Sequence, residues 1–245
     1  MRETHYQSEK EFLAAYNIHD FEVPLVSVDM SIFSVIDGEL QVLLIKRGDY
    51  PAKGKWALPG GFIDLKNDKD LLATAQRKLK EKTGVDTPYL EQVASFGGPK
   101  RDPRGWSVTI AYFALINHDE IVLQSGNNTE EVAWIPVQSV GKQRALAFDH
   151  KDILKTCHER LRSKVTYTAL PVHLLPKEFT LSELQKTFEI ILGKSVDKKS
   201  FRRRILDVDI LKETGRMKAS GTRPAMLYSV NARGKNYYFS RNFEG

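Results

Sequence analysis

The chain has 245 residues, 41% of them hydrophobic and 28% charged, with a formal net charge of +6. That length accommodates one large domain or two ordinary ones, each with its own core, and no apolar run approaches the roughly 20 residues of a membrane span. The charge is unevenly divided: residues 1–150 hold 17 Lys and Arg against 21 Asp and Glu, whereas residues 151–245 hold 20 against 10. Such asymmetry points to two units with different partners, the basic one facing a polyanion. The N-terminal MRETHYQSEKEF has no apolar core of a secretion signal. The single cysteine, Cys157, can form no disulfide within the chain, so a reducing cytosol is the expected compartment.

In chain order, residues 8–16 predict a short helix capped by Ser8, with Phe12, Leu13 and Tyr16 on one face. Two β-rich runs follow, 26–36 and 41–46, joined at Asp37-Gly38, a hairpin signal. The spacing of Leu71, Leu72, Ala75 and Leu79 predicts a helix over 71–82, with Gly84 as its C-cap. Further strands are expected around 92–96, 107–116 and 131–135, and a helix over 149–162 with Ile153, Leu154, Cys157 and Leu161 on one face. Strands and helices do not alternate regularly, which predicts an α+β fold with a mixed sheet. Pro171 and Pro176 break the chain, so a linker is placed at 165–177, dividing it into domains 1–165 and 166–245.

The first motif lies in the acidic half. Trp56-Ala57-Leu58-Pro59-Gly60-Gly61-Phe62, followed by Arg77-Lys78-Leu79-Lys80-Glu81-Lys82-Thr83-Gly84-Val85, resembles the Nudix box. That signature is a glycine, a spaced glutamate and then R-E-aliphatic-x-E-E-x-G-aliphatic, folded as loop, helix, loop. The likeness is carried by Leu58 to Gly61, Arg77, Leu79, Glu81, Gly84 and Val85, and it implies an N-terminal α/β/α sandwich around a mixed sheet. The departures bear on chemistry. Lys78 and Lys82 stand where the family has glutamates, and the loop before Arg77 is two residues longer than the family spacing. That loop offers only Asp64, Asp68 and Asp70 as carboxylates.

Nudix hydrolases use the helix carboxylates to hold divalent metal ions that polarise a pyrophosphate and activate water. Positions 78 and 82 share one helix face. A unit-charge pair 4 Å apart is worth about 4 kcal/mol at an effective dielectric of about 20, and a divalent ion doubles it, so two ammonium groups there oppose metal binding. No catalytic residue, metal site or required cofactor is expected. A nucleoside diphosphate joined to another group remains the ligand class that the resemblance implies, with lysines serving its phosphates as point charges. The expected ligand residues are Arg47, Gly60, Gly61, Phe62, Arg77, Lys78, Glu81, Lys82 and Arg101, with Lys100 and Arg104 as further cations. Phe62, Trp56, Phe96 and Tyr112 suit either a base-stacking or a core role.

The basic half reads as a winged helix-turn-helix. Thr180-Leu181-Ser182-Glu183 is a capping box opening a helix with Leu181, Leu184, Phe188 and Ile191 inward. Gly193 makes the turn, and a second helix runs from Ser195 or Asp197 to about Val208, with Phe201, Ile205 and Val208 inward. Two strands follow, with a basic wing at 217–224. Second helices of such units enter the major groove, while a wing contacts phosphate. Thr180, Lys198, Lys199, Ser200, Arg202, Arg203, Arg204, Lys218 and Arg223 are therefore the expected DNA-binding residues. A solvated domain that binds protein is the competing reading, and it does not account for the cations gathering on the helix and loop that would face DNA.

Taken together, the two motifs resemble the Nudix-related transcriptional regulators of NAD metabolism. The likeness spans nearly the whole chain, including Phe179-Thr180-Leu181, Phe201-Arg202-Arg203 and Arg223-Pro224-Ala225. It implies a cytoplasmic, nucleoid-associated bacterial homodimer that represses genes of NAD biosynthesis or salvage from palindromic double-stranded operators. ADP-ribose would be the effector that releases it. An active ADP-ribose pyrophosphohydrolase with an accessory nucleic-acid-binding domain is the alternative, and its box should carry the glutamates that Lys78 and Lys82 replace.

Overall fold

The computed structural model describes residues 6–85, 89–121, 129–141, 145–219 and 223–240. A seven-stranded mixed sheet forms the centre of the N-terminal part. Its longest strands are β1 (Leu25–Ile36) and β2 (Glu39–Arg47), an antiparallel hairpin closed by Asp37 and Gly38. Both turn residues take positive φ, 50° and 78°, as a two-residue hairpin requires. The short β3 (Trp56–Ala57) pairs with β2, and β4 (Gly60–Phe62) with β1. β5 (Tyr89–Gly98) and β6 (Ser107–Leu115) extend the sheet, β6 lying parallel to β1 with Leu25 opposite Ser107. β7 (Thr129–Pro136) flanks β2.

Helices cover both faces, and the strands show why. Along β1 and β6 successive side chains alternate faces. Met30, Ile32, Ile110, Tyr112 and Ala114 pack with Ala75 and Leu79 of α2 (Leu71–Thr83). Phe33, Ala111, Phe113 and Leu115 pack with Ile153, Leu154, Cys157 and Leu161 of α3 (His150–Val165). This is the expected α/β/α sandwich. Asp70 caps α2 by accepting from the Ala73 amide at 2.7 Å, and Gly84 ends it in the left-handed conformation at φ 71°. Leu72, expected on the apolar face, is 45% exposed, because Ala75 and Leu79 define a stripe that it flanks.

Cys157 is fully buried against the sheet, its Sγ 3.6 Å from the Tyr112 carbonyl. Burial pushes its thiol up to about 11, so at pH 8 only about one in a thousand is thiolate, the reactive form. The folded protein should not react with a thiol-specific disulfide reagent at pH 8, whereas denaturation should release one reactive thiol. Rapid titration of the folded protein would show that this face of the sheet opens.

The short helix α1 (Glu9–Ala15) forms as expected, with Ser8 accepting from the Glu11 amide at 3.2 Å. Its apolar face does not reach the core. Phe12, Leu13 and Tyr16 are exposed, and rings pack on one another instead, Tyr6 to Phe12 at 5.3 Å, Phe12 to Tyr16 and Tyr16 to Phe21 each at 5.6 Å.

The C-terminal part is a helix pair, α4 (Leu181–Leu192) and α5 (Lys198–Leu206), against a three-stranded sheet of β8 (Phe179–Thr180), β10 (Ala225–Val230) and β9 (Leu211–Lys218). Gly193 makes the turn at φ 69°, and Asp197 caps α5 by accepting from the Ser200 amide at 2.8 Å. Leu181, Leu184, Phe188, Ile191, Phe201 and Ile205 are buried, while Val208 is half-buried. The wing spans β9, its connecting loop and β10; positions 220–222 of the expected wing lie outside the described residues.

The segment 165–177, expected as a linker, is packed core. Leu170–Leu174 form a 3-10 helix with Pro171 in its first turn, and Leu170, Pro171, Val172 and Leu174 are buried. Pro171 does punctuate the chain, but at a helix start, where a missing N–H costs nothing, and Pro176 is exposed just beyond the helix. One apolar cluster runs from Phe33 and Leu161 through Val172 to Phe188 and Phe239. Phe188 sits in it with no exposure, edge-on to Phe201 at 5.2 Å. Phe188→Ala should destabilise the fold by about 3–5 kcal/mol, read as a shifted urea midpoint. An unshifted midpoint would mean that this cluster is not a close-packed core.

Candidate ligand cleft and nucleic-acid interface

A cleft of about 840 Å³ opens where β1, β2 and β4 meet α2, the β5–β6 loop and the start of α3. All nine residues expected at a ligand site line it: Arg47, Gly60, Gly61, Phe62, Arg77, Lys78, Glu81, Lys82 and Arg101. The two glycines have steric reasons to be there. A Cβ on Gly60 would lie 2.3 Å from the Val28 carbonyl, and one on Gly61, at φ 153°, would lie 2.9 Å from Cε of Lys78. Lys78 thus lies directly over the Gly61 backbone.

The charged residues fall into two groups. Arg77 is a structural pin: it donates to both oxygens of Asp68 at 2.8 and 2.6 Å and to Glu81 at 2.9 Å. This guanidinium holds the Asp68 carboxyl well below the usual range and fastens the loop to α2. Glu81 also accepts from Lys78 at 3.0 Å. Asp64 accepts from the Lys66 amide at 3.0 Å and from Asn67 Nδ2 at 2.7 Å, and Asp70 is the helix cap. Every loop carboxylate therefore has a structural partner. Among the described residues no three His, Cys, Asp or Glu side chains gather as a metal site. The donor set does not fit the divalent ions of a Nudix hydrolase.

The second group, Lys82 and Arg47, faces the cavity with neutral partners. Lys82 is 8% exposed and donates to Thr129 Oγ1 at 2.9 Å. Burial lowers its pKa, and Lys78 adds to the lowering against the opposing pull of Glu81. Thr129 stands opposite Arg47 in the β2–β7 ladder. Arg47 donates to the Pro51 carbonyl at 2.8 Å and lies 5.0 Å from the Phe148 ring centre; burial, and then Arg104, lower its pKa. At the mouth Arg104 is held by Asp102 at 3.0 and 2.7 Å and lies over Phe62 at 4.9 Å. A buried ammonium and a half-buried guanidinium, neither paired with a carboxylate among the described residues, make an anion seat. The flanking aromatic faces suit a flat base.

Sequence reasoning missed Asp29, Thr129, Phe148 and His150. His150 is buried at the cleft floor, and its Nδ1 accepts from the Leu58 amide at 2.8 Å, so it is neutral, as burial, the largest influence on its pKa, also favours. Its neighbour Asp149 takes the bidentate hold of Arg101 at 2.9 Å on each oxygen. Trp56, Phe96 and Tyr112 pack in the core rather than in this cleft, and Lys100 borders a separate, shallower cleft.

In the basic half, α5 presents Lys198, Lys199, Ser200, Arg202 and Arg203 to solvent while Phe201 and Ile205 anchor it. Arg223 is exposed where β10 begins. Arg204 is half-buried, its guanidinium 5.3 Å from the Phe239 ring centre, which places it beside the exposed row. Thr180, also expected to contact DNA, is the N-cap of α4. It is 4% exposed, and its hydroxyl accepts from the Glu183 amide at 3.2 Å and donates to the Glu183 carboxylate at 3.0 Å. Lys218 also turns back to Glu183, at 2.6 Å, tying the wing to the start of α4.

A Nudix fold whose cleft gathers cations, built into one core with a basic winged helix, defines the class of Nudix-related regulators. Residues 27–157 match the NUDIX domain, and residues 171–230 match the NrtR DNA-binding winged helix domain. The ADPR responsive transcriptional repressor NtrR of Acinetobacter baylyi is 51% identical over 239 residues, 98% of this chain and 95% of that protein. The crystal structure of Shewanella oneidensis NrtR complexed with a 27mer DNA matches with a TM-score of 0.82 at 42% identity, over 89% of this chain and 98% of that one. The NUDIX domain of the same protein, cocrystallised with ADP ribose, matches at 43% identity and a TM-score of 0.59, over 63% of this chain and 99% of that one. The chain belongs to the NrtR family.

Proposed function

We propose that this chain is a DNA-binding repressor of genes for NAD biosynthesis or salvage, released from its operator by ADP-ribose in a Nudix domain that does not hydrolyse it. One observation carries the reading: the cleft holds Lys82 and Arg47 ready for an anion, with Lys78 and Lys82 in place of metal ligands, and its core continues into the exposed cations of α5. The relatives named for ADPR response, DNA and ADP ribose support it. The α5 row would read a major groove, with Arg223 on the flanking phosphates. As a homodimer in the cytoplasm, the protein would place two such helices on a palindrome, about 34–36 Å or a multiple of that apart.

A duplex selected by the protein from a random pool gives the test. The chain should retard it, and ADP-ribose should release it without added metal. Metal-dependent AMP formation from ADP-ribose at about 1 per second or faster, an ordinary enzymatic turnover, would favour the pyrophosphohydrolase instead.

A further inference from the structure

We infer that Arg101 exchanges between Asp149 and the phosphates of bound ADP-ribose, and that this exchange makes α3 the lever by which the cleft moves the winged helix. The inference rests on the function proposed above and names its regulation.

Asp149 immediately precedes α3, where an aspartate ordinarily caps the first-turn amides. Here its side chain caps none of them. Both its oxygens are held by Arg101, whose guanidinium is lodged in the cleft, 3.2 Å from Ser107 Oγ and 3.6 Å from Asp29. A pyrophosphate arriving beside Arg101 offers a bidentate match of its own and carries two charges to the carboxylate's one. Once released, Asp149 has a second partner within its own turn, the amide of Lys151, since that of Asp152 already donates to the Asp149 carbonyl at 2.9 Å. The carboxylate thus has two mutually exclusive arrangements, which is what a switch element requires.

The neighbouring residues fasten the same turn to the cleft wall. Phe148 is held at φ 54°, a left-handed conformation that a bulky side chain rarely adopts. Its ring lies under Arg47 at 5.0 Å and 5.3 Å from His150. The other end of α3, 16 residues long, belongs to the winged helix. Arg162 donates to the Leu192 carbonyl at the end of α4 at 2.8 Å, and Leu161 and Val165 share a core with Leu184 and Phe188. With the segment 165–177 packed, a shift at the first turn has no loose joint in which to dissipate.

Two variants of the full chain test this. Asp149→Asn weakens the hold on Arg101 and keeps a capping side chain, so it should imitate effector-bound protein. It should bind ADP-ribose more tightly and the selected duplex more weakly, close to the affinity of the native chain saturated with ADP-ribose. Arg162→Gln lies outside both binding surfaces. It should leave each affinity within about twofold while collapsing the factor by which saturating duplex weakens ADP-ribose binding, normally about 5- to 150-fold for allosteric pairs, toward 1. Amide exchange at Lys151 should slow when the native chain binds ADP-ribose and stay unchanged on binding in Asp149→Asn. If the native chain is coupled and both variants retain its full coupling, the lever is wrong and the repressor reading stands. If the native chain shows no coupling, both fall together.

Discussion

Changing Arg202, Arg203 and Arg223 together to alanine should abolish specific DNA binding while leaving the fold and ADP-ribose affinity intact. The three side chains are exposed and project from α5 and the start of β10, whose stability derives from Phe201, Ile205 and Tyr228 on the opposite side. Where an arginine reads a guanine edge bidentately, its removal costs about 1–3 kcal/mol, so two such losses weaken binding by roughly 30- to 25,000-fold. Where it neutralises a phosphate, its removal spares sequence preference and flattens the dependence of log K on log salt by about 0.9 for each phosphate left unpaired. Single substitutions titrated at several salt concentrations separate the two roles. A triple variant that retards the selected duplex like the native protein would place the DNA face elsewhere.

Lys82→Met should weaken ADP-ribose binding in the presence of a chelator by about 10- to 150-fold. Methionine keeps the apolar stem that lies along the cleft wall, so the change removes the charge. A hydrogen bond to a charged partner is worth about 1.5–3 kcal/mol, and burial at 8% exposure limits screening by solvent. Lys80→Met, on the same helix but not a cleft residue, is the control and should bind as the native chain does. Calorimetry reads both directly. Unchanged affinity in Lys82→Met would show that the anion is seated elsewhere and that lysine does not take the place of metal here.

Much of this architecture is legible in the sequence because its signals are local. Asp37-Gly38, the 3.6-residue spacing of Leu71, Ala75 and Leu79, Gly84 and the Thr180–Glu183 box each act within a few residues. The cleft residues are legible for a related reason: Gly60, Gly61 and the α2 cations occur at fixed spacing within one motif. What the sequence hides depends on distant partners. Arg101 and Asp149 are 48 residues apart, and Lys82 and Thr129 are 47 apart; neither pairing has a local signature. The apparent linker misleads because prolines are conspicuous, whereas Leu170, Val172 and Leu174 beside them carry the burial. The tie between Lys218 and Glu183, 35 residues apart, is equally without a local signature.

The packed joint also decides what kind of instrument the molecule is. A flexible tether would hold the basic helix near its target as a local concentration, tolerant of where along the duplex it lands. A shared core works instead as a fixed gauge, because Val172 and Leu174 on one side and Phe188 on the other cannot slide without opening a void. In the proposed homodimer, sites at the wrong distance would then be rejected by geometry before any base is read, and selectivity for spacing would be set deep in the protein interior rather than at the surface that touches DNA.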